Sequence, residues 1–113
     1  MVAEKPAGRR RPHPRTRLDD NFASTIRFSL MASLSDGVEL DFATLADVLQ
    51  ASDSALSKAI THLQDAGYVR ARKGQAGSRP RTWVRSTTEG RRAFDAHLSA
   101  LREIVELGGR SGL

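Results

Sequence analysis

The sequence predicts a mainly α fold with one small β-hairpin, and three observations carry that expectation. Apolar residues recur at three- and four-residue intervals in four segments, near 22–34, 42–49, 54–66 and 94–105. A short turn, Gln50-Ala51-Ser52, separates the second segment from the third. Two alternating stretches, 68–73 and 81–86, flank a loop that holds Gly74, Gly77 and Pro80. The order helix, turn, helix, hairpin, long helix is the layout of a winged helix-turn-helix.

Residues 1–17 are expected to form a disordered basic tail, with three prolines and no apolar periodicity. The domain is expected to span 18–113. Its first helix should run from about Asp19 to Leu34, with Phe22, Ile26, Leu30 and Leu34 on one stripe. Asp19, Asp20 and Asn21 suit its N-terminus, where carboxylates and amides satisfy unpaired N–H groups. Ser35-Asp36-Gly37 breaks the helix, and Val38-Glu39-Leu40 can add a third strand to the hairpin.

The second helix is expected at about 42–49, capped by Asp41, with Leu40 and Leu45 spaced as a hydrophobic staple. The third should cover about 54–66, capped by Ser52 or Asp53 and closed by Gly67. At 100° per residue, Leu56, Ala59, Ile60 and Leu63 share one side. Ser54, Lys58, Thr61 and Asp65 share the other, with Ser57 and His62 on its flanks. Short hydroxyls with a single lysine suit close approach to base edges and phosphates. The hairpin should occupy 68–86, with Val84 inward and Arg81, Trp83 and Arg85 on the opposite face. Trp83 is expected to cover the aliphatic stems of the arginines around it.

The fourth helix should span about 87–107, opened by a capping box between Ser86 and Glu89 and ended by Gly108-Gly109. Phe94, Leu98, Leu101 and Val105 form a stripe, with Ile104 beside it. Such a face exposed to water calls for a partner, most simply a second copy.

Charge is segregated within a net +5. Six Lys/Arg stand against Glu4 in residues 1–17, and eight stand against Glu89 in residues 68–92. Residues 18–67 hold only Arg27 and Lys58 against eight acids. Cations gathered in a tail and a hairpin point to a polyanion. Arg9-Arg10-Arg11 could track a phosphate backbone or enter a minor groove. The acidic segment supports a second reading, a protein-interaction module of the same shape without DNA binding.

An enzyme is disfavoured. There is no Cys, and His13, His62 and His97 are isolated in the sequence, so no base–nucleophile pair or metal-ligand spacing is formed. No cofactor is expected. The absence of cysteine fits a cytoplasmic location, no run is apolar enough to span a membrane, and no secretory signal follows the basic N-terminus.

Several segments resemble the small winged-helix transcriptional regulators related to the MarR and ArsR groups. They are Arg27-Phe28-Ser29-Leu30-Met31-Ala32-Ser33-Leu34, Leu40-Asp41-Phe42, Leu56-Ser57-Lys58 and Leu63-Gln64-Asp65-Ala66-Gly67-Tyr68-Val69. Arg79-Pro80-Arg81-Thr82-Trp83 and Thr87-Thr88-Glu89-Gly90-Arg91 complete the set, which covers about residues 20–107. The resemblance implies a homodimeric regulator that binds double-stranded DNA, with one recognition helix per half-site. It implies that Ser54, Ser57, Lys58, Thr61 and His62 face the major groove, and that Arg72, Lys73, Ser78, Arg79 and Arg81 serve the wing. It implies a dimer built on the first and fourth helices, for which the apolar candidates are Phe22, Ile26, Phe94, Leu98, Leu101, Ile104 and Val105. Ser86 departs from the pattern, which usually has leucine there, so loose packing is expected at the end of the second strand. Gln75 departs likewise at the wing.

Overall fold

The structure is a computed structural model that describes residues 12–111. Its elements are α1 (Thr25–Ser33), β1 (Leu40–Asp41), α2 (Phe42–Leu49), α3 (Asp53–Asp65), β2 (Val69–Ala76), β3 (Arg79–Ser86) and α4 (Thr88–Ser111). The strands form one antiparallel sheet in the order β1-β3-β2. The third strand expected near residue 40 is therefore present, with Leu40 opposite Val84 and Asp41 opposite Trp83. The chain divides into two compact units, one of residues 19–95 and one that joins residues up to 18 with residues from 96 onward.

In the first unit the core is built from the apolar faces read in the sequence. Leu30, Met31, Leu34, Leu45, Leu56, Leu63, Val69 and Val84 are fully buried. Phe22 stacks on Tyr68 at 5.4 Å and meets Phe94 edge-on at 5.2 Å, while Phe28 packs against the same Phe94. Phe22 and Phe94, expected at a dimer seam, are thus buried within the chain's own core.

The first helix is shorter than its periodicity predicts. Asp20–Phe22 form a 3-10 turn capped by Asp19, and α1 starts afresh after Ser24, whose hydroxyl accepts from the Arg27 N–H. The Arg27 side chain bonds the carbonyl oxygen of Asn21 at 2.8 Å and so holds the break. α2 begins where expected, with Asp41 as its cap. Gln50 adopts a left-handed conformation in the turn, and Ser52 caps α3.

The end of α3 is a joint on which three elements meet. Gly67 takes φ +83°, and the Tyr68 N–H returns to the Leu63 carbonyl, closing the helix. Thr87 then binds this corner twice, its N–H to the Tyr68 carbonyl and its hydroxyl to the Gly67 carbonyl at 2.7 Å. The same hydroxyl oxygen accepts from the Gly90 N–H and caps α4. Thr87 therefore replaces the expected Ser86–Glu89 box. Ser86 is instead buried, donating to the Leu34 carbonyl at 2.6 Å and accepting from Arg91. The position expected to pack loosely is pinned by hydrogen bonds. Tyr68 donates to Asp19 at 2.6 Å, and that bond, with burial, pushes its hydroxyl pKa up.

The hairpin is longer and tighter than predicted. Pairing continues through Gln75 opposite Pro80 and Ala76 opposite Arg79, leaving a two-residue turn of Gly77 and Ser78. Gly77 has φ +64°, as the first position of a type II′ turn requires. Pro80 is tolerated within β3 because β1 pairs only near Val84 and Trp83, so one edge of β3 is open there.

In the second unit, Pro14–Arg17 form a 3-10 turn whose Pro14 is buried, rather than the end of a disordered tail. Arg17 pairs with Glu103 at 2.5 Å, and His97 and Ala100 are buried. Arg9, Arg10 and Arg11 lie outside the described residues. α4 continues through Gly108 and Gly109, neither of which has a positive φ, so the helix is not stopped there. No helix among the described residues is long and apolar enough to cross a membrane.

A methyl group at Gly90 would meet the Tyr68 carbonyl oxygen at 2.2 Å. Gly90→Ala is therefore expected to destabilise the domain by about 3 kcal/mol, the upper range for overpacking, because backbone must move. Urea denaturation measures it, and an unchanged midpoint would contradict the joint.

Candidate nucleic-acid interface

Two neighbouring surfaces have the chemistry for a polyanion. The first is the outer side of α3. Its 13 residues bury Leu56, Ala59, Ile60 and Leu63, which fixes the direction of everything else on the helix. Ser54, Ser57, Lys58, Thr61, His62 and Asp65 are exposed and together line one shallow concavity. The sequence placed these six side chains outward or on the flanks, and the structure brings them together. His62 is tied by Nε2 to the Asn21 side-chain oxygen at 3.0 Å, a contact between elements that helical spacing gives no sign of.

The second surface is the outer face of the sheet. Cross-strand register sets Arg70 opposite Arg85, Arg72 opposite Trp83 and Gly74 opposite Arg81. Alternation along β2 and β3 puts Arg70, Arg72, Arg81, Trp83 and Arg85 on one face, while Val69, Val84 and Ser86 turn inward. Arg72 crosses the central strand above the Trp83 ring, 5.6 Å from its centroid, and grips Glu39 with two bonds of 2.8 and 2.7 Å. Trp83 is thus covered by the Arg72 guanidinium, where the sequence predicts that it covers arginine stems. Arg81 reaches Asp41 at 2.6 Å. Ser78 and Arg79 are exposed at the hairpin end, and Lys73 is exposed on β2, alternating with Arg72.

The five wing residues named from the sequence therefore fall into two groups. Lys73, Ser78 and Arg79 are displayed, whereas Arg72 and Arg81 are held by the carboxylates of Glu39, just before β1, and Asp41, its last residue. The role of Glu39 and Asp41 is missing from the sequence reading. Its trace is the alternation Glu39-Leu40-Asp41, which places both acids on the arginine face once β1 pairs with β3. The Arg72 hydrogen bonds, helped by the charges of Arg72 and Arg85, hold the Glu39 carboxyl below its ordinary range. Hydrogen bonding from Thr44, with the Arg81 guanidinium, does the same for Asp41 against an opposing effect of burial. Among the described residues no group of three His, Cys, Asp or Glu side chains could hold a metal ion.

The apolar candidates for a partner surface also divide. Leu98, Leu101 and Ile104 are half-buried on α4, and Val105 is 73% exposed. Leu101 and Val105 line one apolar depression with Arg102 and Glu106.

Residues 26–105 match the family described as winged helix DNA-binding domain. Among solved structures, the chain is similar to a transcriptional regulator homologue from Pyrococcus horikoshii OT3, at 25% identity and TM-score 0.72, over 78% of this chain and 87% of that one. It is similar to the YusO protein from Bacillus subtilis, at 18% identity and TM-score 0.70, over 90% of this chain and 71% of that one. A third likeness is to ZitR from Lactococcus lactis, a zinc-responsive MarR family member, at 22% identity and TM-score 0.52, over 79% of this chain and 60% of that one. The last two share the fold. No curated protein matches the chain.

Because Glu39 has a lowered pKa, its grip on Arg72 is present above the ordinary glutamate range and is lost as pH falls through the lowered value. Arg72→Gln should move the Glu39 titration upward, back toward the ordinary glutamate range. Carbon NMR of the carboxyl group measures it, and an unmoved titration would contradict the ion pair.

Proposed function

The chain belongs to the winged helix DNA-binding domain family, and from that premise we propose that it is a dimeric, sequence-specific, MarR-like transcriptional regulator. The observation that carries this reading is the coincidence of an uncovered, hydroxyl-rich α3 face with displayed cations on the adjoining hairpin. In this reading α3 enters the major groove. Ser54, Ser57, Thr61 and His62 approach base edges, and Lys58 meets base or phosphate. Lys73, Ser78 and Arg79 follow the backbone into the minor groove. Arg72 and Arg81 support the wing from behind and reach phosphate only by leaving Glu39 and Asp41. Its work on DNA and its lack of cysteine suit the cytoplasm.

The alternative, an interaction module without DNA binding, rested on the acidic character of residues 18–67. The pairing of Glu39 and Asp41 with hairpin arginines weakens it, since part of that charge is compensated internally.

Dimerisation belongs to the same proposal. A helix of 24 residues is about 36 Å long, and the stripe through Leu98, Leu101, Ile104 and Val105 supplies apolar area for a second copy. Two copies then present two α3 helices to successive major grooves about 34 Å apart.

Lys58→Ala and Arg79→Ala are each expected to weaken duplex binding by roughly 1–2 kcal/mol without lowering thermal stability, because both side chains are exposed. Binding sites selected from a random DNA pool should be near-palindromic. Fluorescence anisotropy at several salt concentrations tests the variants. Affinity indifferent to both substitutions would contradict the surface, and failure to select any sequence would favour the interaction module.

A further inference from the structure

The outer sheet face continues into a concavity with a chemistry of its own. The cavity, of about 860 Å³, lies between β2, the end of β3 and the first turns of α4. Five arginines line it against two glutamates. One of those glutamates, Glu39, is already clasped by Arg72. Arg91 is occupied with the Ser86 carbonyl at 3.0 Å and the hydroxyls of Ser86 and Thr88. Arg70, Arg85 and Arg92 remain exposed and have no ion pair among the described residues, although the Arg85 charge also acts on Glu39.

Arg70 and Arg85 are directly opposite each other in the antiparallel register. Like charges in that position repel and destabilise the sheet. Two long cations set face to face on a rigid hairpin, with a third on the adjoining helix, form a cluster whose charge an anion would relieve. Guanidinium groups bind oxyanions through paired N–H donors, and a concave setting offers several of them to one small molecule. The volume matches that of a metabolite-sized site.

We propose that Arg70, Arg85 and Arg92 form a binding site for a small oxyanion-bearing ligand, a molecule with two or more phosphate or carboxylate groups, separate from the α3 surface. Glu89, the second acid of the cavity, sets a preference for ligands that present their charge toward β2 and β3. The site stands on the sheet register and the cavity, and is independent of the DNA reading. A multivalent anion held there would also neutralise the hairpin beside the displayed wing cations, so it would act as an inhibitor of any polyanion contact by the wing.

The test uses the full chain with inorganic pyrophosphate as probe, in isothermal titration and thermal unfolding, against sodium chloride at equal ionic strength. Wild type should bind pyrophosphate saturably and melt at a higher temperature. Arg70→Gln combined with Arg85→Gln should weaken that binding at least tenfold. The double variant should also melt no lower than wild type without ligand, since the repulsive pair is gone, which separates lost binding from lost folding. No saturable binding beyond the chloride control would overturn the proposal. So would equal binding by the variant. A variant that loses duplex DNA affinity tenfold, while pyrophosphate neither binds wild type nor competes with DNA, would assign the cluster to a backbone phosphate and overturn the small-ligand site.

Discussion

The corner at Gly67 and Tyr68 is the constraint on which the arrangement depends. Gly67 ends α3 with a positive φ, Tyr68 returns its N–H to Leu63, and Thr87 binds both carbonyls of the corner. One short segment thereby fixes the end of α3, the start of β2, the end of β3 and the start of α4. Gly90 must lack a side chain for α4 to come this close. The end of α3 and the origin of the wing are consequences of the same few bonds. A rigid joint of this kind is what a two-surface recognition module needs, because helix and hairpin must meet one ligand together.

Charge is arranged on that frame in two tiers. Lys73 and Arg79 are displayed, and Arg72 and Arg81 are restrained by Glu39 and Asp41. The Arg72–Glu39 pair lies largely in solvent and adds little stability, whereas Asp41 is buried beneath Arg81. The effect of both pairs is geometric, since Arg72 is laid across Trp83 and Arg81 is directed toward the start of α2. Below Arg72 the pattern reverses, and Arg70 and Arg85 face each other without a carboxylate in ion-pair contact with either among the described residues. The basic character visible in residues 68–92 is therefore partly compensated, partly displayed and partly concentrated.

Much of this was legible before any coordinates. The α2 and α3 boundaries, the inward and outward faces of α3, the third strand and the inward Val84 followed from periodicity and capping. The interrupted first helix was not legible, because the spacing of Phe22, Ile26 and Leu30 runs straight across the break that Ser24 and Arg27 impose. Ser86 misled for a related reason. Its hydroxyl suits a helix cap in sequence, but a carbonyl from a residue 52 positions away claims it. Phe22 and Phe94 looked like interface residues because an apolar stripe does not say whether its partner is another copy or the same chain. The tip was read as seven residues because glycine and proline signal a loop, whereas ladder pairing extends past both. For the site, single-element patterns found the α3 face and the hairpin cations. The partners Asn21, Glu39 and Asp41 required knowledge of which strands and turns meet.

In the proposed function the outer side of α3 and the displayed end of the wing engage one nucleic acid duplex at once. Amide NMR of the protein, titrated with a selected duplex, tests it most directly. Shifts are expected to concentrate in residues 54–65 and 73–81, appearing together at the same stoichiometry, with the buried core little changed. Shifts confined to α4 and the N-terminal residues, or shifts in the wing without any in α3, would contradict it.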